Sequence, residues 1–177
     1  YRLPEGVSNQ NWGFVQSENG LMYILNRKGI FSFDGLQWEN LGVAGRPIAI
    51  TYSNKLFYCT DKGVGYFTEQ EDGTHSQNLF LQSDDKNLFY KFRKIEGGIL
   101  VVSPLMICKI STDTEIKVDT LYFEDRPEVF ISDFFQLNQN TYHVKNRALV
   151  YLNKPDGGYE MLAGLPIGED MVFSFVH

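Results

Sequence analysis

Short apolar runs alternate with polar turns along the whole chain. The first pair is Leu21-Met22-Tyr23-Ile24-Leu25 and, after Asn26-Arg27-Lys28-Gly29, Ile30-Phe31-Ser32-Phe33. Thirty-four residues on, Lys55-Leu56-Phe57-Tyr58-Cys59, Thr60-Asp61-Lys62-Gly63 and Val64-Gly65-Tyr66-Phe67 repeat that order and length. A third copy pairs Gly98-Ile99-Leu100-Val101-Val102 with Met106-Ile107-Cys108-Lys109-Ile110. A fourth pairs Thr141-Tyr142-His143-Val144 with Ala148-Leu149-Val150-Tyr151-Leu152, across a turn at Lys145-Asn146-Arg147. Such runs, bounded by turn residues, read as β-hairpins.

Each hairpin has a strand candidate on either side. Ahead lie residues 14–16, 48–50, 90–92 and 131–135; behind lie 37–41, 78–81, 116–122 and 159–162. In the run 116–122, Ile116, Val118, Thr120 and Tyr122 fall on one face, with Lys117 and Asp119 on the other. That is period two, not 3.6. Four strands per unit of roughly 40 residues is the arithmetic of a β-propeller blade. The pattern predicts an all-β, propeller-type array of four consecutive four-stranded antiparallel blades, at about 11–45, 46–86, 87–126 and 127–168, with a fifth starting at 169–177. Leu3-Pro4-Glu5-Gly6 and Leu165-Pro166-Ile167-Gly168 stand 162 residues apart, which is again four units. On this reading the chain is a segment of a longer propeller.

Composition agrees. Aromatic residues make up 15% of the chain and Ala occurs four times, which favours strands over helices. Hydrophobic residues at 43% and charged residues at 21% suit a folded domain, and no apolar run approaches the roughly 18 residues of a membrane span. A net charge of −6 and a pI near 5.0 exclude a basic nucleic-acid footprint.

Candidate chemistry is sparse. His75, His143 and His177 show no metal-ligand spacing, and the acidic turns at 69–73, 83–86 and 155–158 lack the oxygen pattern of a calcium loop. They read as hairpin turns. Gly63-Val64-Gly65 leads into a strand, not the helix that phosphate binding needs. No catalytic, metal or cofactor residue is predicted. Cys59 and Cys108 sit in apolar runs and read as buried thiols, with a disulfide left open. The aromatics Trp12, Trp38, Tyr52, Tyr58, Tyr90 and Tyr142 read first as packing between blades. Trp12, in the loop ahead of an inner strand, is the one candidate for stacking on a ligand.

The run Gly6-Val7-Ser8-Asn9 … Trp12 … Asn19-Gly20-Leu21-Met22-Tyr23-Ile24 … Lys28-Gly29-Ile30 … Phe33-Asp34-Gly35 resembles the two-component-regulator propeller repeat. Phe57-Tyr58-Cys59-Thr60 and Gly63-Val64 carry the resemblance into the second unit. Tyr23 stands where the repeat usually has Trp, Leu25-Asn26 where it has Gly-Thr, and Pro104 interrupts the corresponding turn of the third unit. The resemblance implies a periplasmic or extracytoplasmic, non-catalytic input domain. Its parent would be a membrane-anchored two-component sensor that binds an unknown small molecule or glycan. The competing classes are a propeller enzyme acting on glycans through channel carboxylates and a structural platform for protein interaction. An open array would also leave apolar faces, with Met22, Ile24 and Phe31 on one and Val144, Leu149 and Tyr151 on the other. Self-association through such faces, as a twofold dimer, is the expected assembly.

Overall fold

Sixteen β-strands and no helix make up the described residues of the computed structural model: 7, 10–43, 45–69, 75–84, 87–112, 115–126, 128–137, 140–146, 149–154 and 158–164. The opening motif at 3–6, His177, the fifth-blade segment at 169–177 and most of the three acidic turns lie outside these residues. The chain divides into two compact units, Tyr1–Lys94 and Ile95–His177.

The first unit holds two sheets. One is β1 (Asn11–Gln16), β2 (Met22–Asn26), β3 (Gly29–Phe33) and β4 (Trp38–Asn40); the other is β5 (Ile48–Tyr52), β6 (Lys55–Thr60), β7 (Gly63–Glu69) and β8 (His75–Gln82). Both are antiparallel meanders in which each strand pairs with its neighbours in sequence. The turn chemistry explains the registers. In the β2–β3 turn the Asn26 side-chain oxygen accepts from the Lys28 N–H at 2.9 Å, and Thr60 does the same for Lys62 at 3.2 Å in the β6–β7 turn. Gly29 and Gly63 close these turns at φ of 145° and 141°. A Cβ at Gly63 would also collide with the Leu81 carbonyl oxygen. Ser53 and Asn54, at φ 48° and 56°, make the left-handed pair of a tight β5–β6 hairpin.

The central strands β2, β3 and β6 are buried almost throughout, while the edge strand β1 alternates. Strand β6 buries every residue from Leu56 to Thr60, whereas β1 alternates half-buried with exposed. One face of each sheet meets in a shared core of Tyr23, Leu25, Ile30, Leu41, Val43, Leu56, Tyr58 and Phe67. Each fully buried aliphatic there contributes about 1.5–3 kcal/mol.

In the second unit the sheets are β9 (Lys91–Ile95), β10 (Gly98–Val102), β11 (Met106–Ser111) and β12 (Lys117–Phe123), then β13 (Ile131–Leu137), β14 (Asn140–Lys145), β15 (Leu149–Asn153) and β16 (Tyr159–Gly164). The division between units falls inside β9. Leu100, Val102, Ile107, Tyr122, Ile131 and Phe134 form its apolar core.

Several expectations need correction. Lys145 is the last residue of β14 and is 1% exposed, not a turn residue. Ser83 and Asp84 lie between β8 and β9, in a link between sheets and not in a hairpin. Of the residues expected on open faces, Met22 is exposed, but Ile24, Phe31 and Val144 are buried and Leu149 and Tyr151 are half-buried. Ile24 is covered by its own sheet: Phe14 and Phe31 flank it in register, and Phe33 stacks on Trp38 at 4.6 Å beside it.

Candidate functional site

Trp12 stands at a break in the β1–β2 ladder. Asn11 pairs with Asn26 and Gly13 with Leu25, so Trp12 is the extra residue of a β-bulge, a device that re-aims a side chain. The indole is 38% exposed. Its N–H donates to the Pro47 carbonyl at 3.0 Å, tying the start of β1 to the segment that enters β5. The Arg46 guanidinium lies 5.9 Å from the indole centroid. Around this pair is a cavity of about 690 Å³ lined by Gln10, Asn11, Trp12, Arg27, Gly45 and Arg46.

The cavity floor is held from beneath. Asn26, fully buried, donates from its side-chain amide to the Asn11 side-chain oxygen at 2.7 Å and to the Gln10 carbonyl at 3.1 Å. One asparagine therefore shapes the β2–β3 turn with its oxygen and fastens the cavity floor with its nitrogen. Sequence reasoning found Trp12 but missed Arg27 and Arg46. Arg27 is one of two central residues of a hairpin turn, and Arg46 follows a glycine, so both read as ordinary solvated positions.

Of the other predicted aromatics, Tyr90 is exposed, and three pack on a ring of their own sheet. Tyr58 is buried and lies 5.0 Å from the Phe67 ring, Tyr142 stacks on Phe135 at 5.0 Å, and Trp38 stacks on Phe33. Both cysteines are buried free thiols, and burial pushes both pKa values up. Among the described residues no group of three His, Cys, Asp or Glu is placed to hold a metal ion.

The second unit contains a buried charge cluster with no counterpart in the sequence reading. Glu124, just past β12, accepts from Lys145 Nζ at 2.9 Å, from the Tyr122 hydroxyl at 2.6 Å and from Arg126 Nε at 2.8 Å. The Lys145 and Glu124 side chains are 2% and 3% exposed, while Arg126 is 54% exposed. The Lys145 ammonium sits 4.6, 4.5 and 4.3 Å from the ring centroids of Tyr122, Tyr151 and Tyr159. His143, also fully buried, stacks on Tyr151 at 5.1 Å and shares a 2.8 Å hydrogen bond between Nδ1 and Asn153 Oδ1.

Environment sets the protonation states. The hydrogen bond from Arg126, reinforced by those from Tyr122 and Lys145, holds Glu124 well below the usual carboxylate range against the cost of burial. Burial, and then the neighbouring Lys145 charge, pulls His143 down to about 4. The cluster is thus a carboxylate held between two cations beside a neutral imidazole. Its buried members are out of reach of a substrate, so its work is to join β12 to β14–β16.

Solved structures of similar form show the fold. Streptogramin B lyase matches with a TM-score of 0.61 at 14% identity, over 90% of this chain and 56% of the lyase chain. Catalytically inactive virginiamycin B lyase from Staphylococcus aureus, solved with quinupristin, matches with a TM-score of 0.61 at 13% identity, over 89% of this chain and 57% of that one. The extracellular domain of a hybrid two component system from B. thetaiotaomicron is also similar, at a TM-score of 0.42 and 15% identity, over 92% of this chain and 28% of that one. No family model matches the chain, and no curated protein matches it. With sixteen strands in four antiparallel four-stranded sheets among its described residues, the chain has an all-β fold of the β-propeller type and spans just over half the length of the lyases it resembles.

Proposed function

We propose that this domain is a non-catalytic ligand-sensing module, the extracytoplasmic input of a membrane-anchored bacterial two-component sensor, and that its ligand seats in the cavity at Trp12. The observation that carries the reading is the make-up of that cavity. Its described lining is an indole, two guanidiniums, two side-chain amides and a glycine. These groups hold and orient a ligand, but none is a base near neutral pH. A volume of about 690 Å³ falls within the usual range for small-molecule sites. The resemblance of the first two repeats to the two-component-regulator propeller repeat supports the sensing role and the location.

The test exploits the presence of only two tryptophans. In a Trp38→Phe background, Trp12 is the single indole and its fluorescence reports the cavity. Titration with a panel of neutral and acidic oligosaccharides is expected to give a saturable change, with every ligand recovered intact by chromatography. Cleavage of any panel member would favour the propeller-enzyme reading. Silence of the indole across the panel would favour a protein-interaction platform.

A further inference from the structure

The Trp12 indole is already engaged. Its ring N–H is spent on Pro47, and the Arg46 guanidinium lies 5.9 Å from the ring centroid. A second guanidinium, Arg27, lines the same cavity from the β2–β3 turn. Among the described residues neither arginine has a carboxylate partner, in a chain whose net charge is −6. Asn11 accepts from Asn26 on its side-chain oxygen, and its amide N–H groups add donors to the lining. The described lining therefore offers positive charge and donors, with no carboxylate facing them. Such a cavity selects a ligand that brings negative charge and acceptors.

We infer that the cavity recognises a ring compound bearing an oxyanion, a carboxylate or sulfate ester such as an acidic sugar carries, with that oxyanion held between Arg27 and Arg46 and with Trp12 as the positioning residue that orients the Arg46 fork. A guanidinium held against an aromatic ring loses less freedom when it binds an oxyanion, and its paired N–H groups match two oxygens at once. Lysine at position 46 would supply a point charge without that fork. The inference rests on the ligand-sensing reading and narrows it to anionic ligands.

Calorimetric titration of the full chain with three probes tests it: tetragalacturonate, its carboxyl-reduced neutral counterpart, and a sulfated tetrasaccharide. Expected is binding of at least one anionic probe, weaker at high salt as screening requires, and none of the neutral one. Arg46→Gln and Arg27→Gln should each weaken binding about tenfold, and Arg46→Lys should restore only part of the loss. Trp12→Ala should match Arg46→Gln, whereas Trp12→Phe should keep most of the affinity. Unchanged thermal melting of each arginine variant separates lost contact from lost fold. The two anionic probes distinguish carboxylate from sulfate. Equal binding of the neutral probe, indifferent to both arginines and abolished by Trp12→Ala, would overturn the anion inference and leave the sensing reading standing. Failure of both anionic probes to bind would also overturn the inference, while the sensing reading is judged by its own wider panel.

Discussion

Strand β2, the second of its sheet, carries Tyr23 and Leu25 into a core of Leu, Ile, Val, Tyr and Phe. Strand β14, also the second of its sheet, carries His143 and Lys145 into contact with Glu124 and three tyrosines. The two strands hold equivalent places in the repeat but rely on different forces. In the first unit this core is held by area removed from water, which is insensitive to pH and tolerant of small errors in geometry. The second unit has an apolar core as well, but around Lys145 it adds ions taken out of water, which repay their desolvation only while every partner is in place. The repeat thus specifies where the strands go, and leaves open what holds one sheet to the next.

The sharpest way to break the comparison is to remove one partner. Glu124→Ala leaves Lys145 buried without its counter-charge, and a loss of about 3–5 kcal/mol is expected in urea unfolding. A loss below about 1 kcal/mol would mean that the tyrosine rings hold the ammonium unaided.

Between pH 7 and pH 5 acid should act chiefly through His143 in the second unit, since the lowered pKa of Asp34 in the first unit is felt only in stronger acid. His143 is held neutral, with its pKa lowered from 6.5 to about 4, so the unfolded chain binds the extra proton first. Its contribution is fully present above pH 6.5 and is lost as pH falls toward 4, by as much as about 3 kcal/mol. Depression of the Glu124 pKa acts in the same direction at lower pH. Hydrogen exchange at pH 7 and pH 5 should show β14–β15 amides losing protection while β6–β7 amides keep theirs. His143→Phe should flatten the difference. Equal loss in both units would refute the assignment.

Asn26→Ala should cost about 1–3 kcal/mol, because it removes a buried side chain that bonds the Lys28 N–H, the Gln10 carbonyl and the Asn11 side chain at once. It should also weaken whatever binds at Trp12, a coupling that calorimetry and melting read separately. Ile30→Val, a single methyl from a fully buried residue of the first core, should cost about 0.5–1.5 kcal/mol, the same at pH 5 as at pH 7.

The strands were legible because period-two alternation and Gly- or Asn-bounded turns are local signals. The third repeat, with little of the signature left, still showed Gly98–Val102 and Met106–Ile110, the second of which runs on to Ser111 in the structure. Errors came at ends: Tyr90 and Ile116 each lie one residue outside the strands they were expected to open. At the candidate site, Trp12 was picked out as a loop residue ahead of an inner strand, but it lies within β1, at a bulge that no local signal shows because a bulge is a property of pairing. Lys145 was read as a turn residue for a similar reason. A buried cation is recognised by its partner, and Glu124 lies 21 positions away.

The meander order of the sheets has a consequence for how the chain is made. Within each sheet every strand after the first pairs with the one just before it, so each sheet closes only short loops and has low contact order. A chain leaving the ribosome can therefore zip one sheet before the next has been translated. Yet central strands such as β6 and β10 are apolar on both faces. In each unit the first sheet to zip must therefore wait, one side bare, for the second to emerge, and over that interval its apolar face stands open to water.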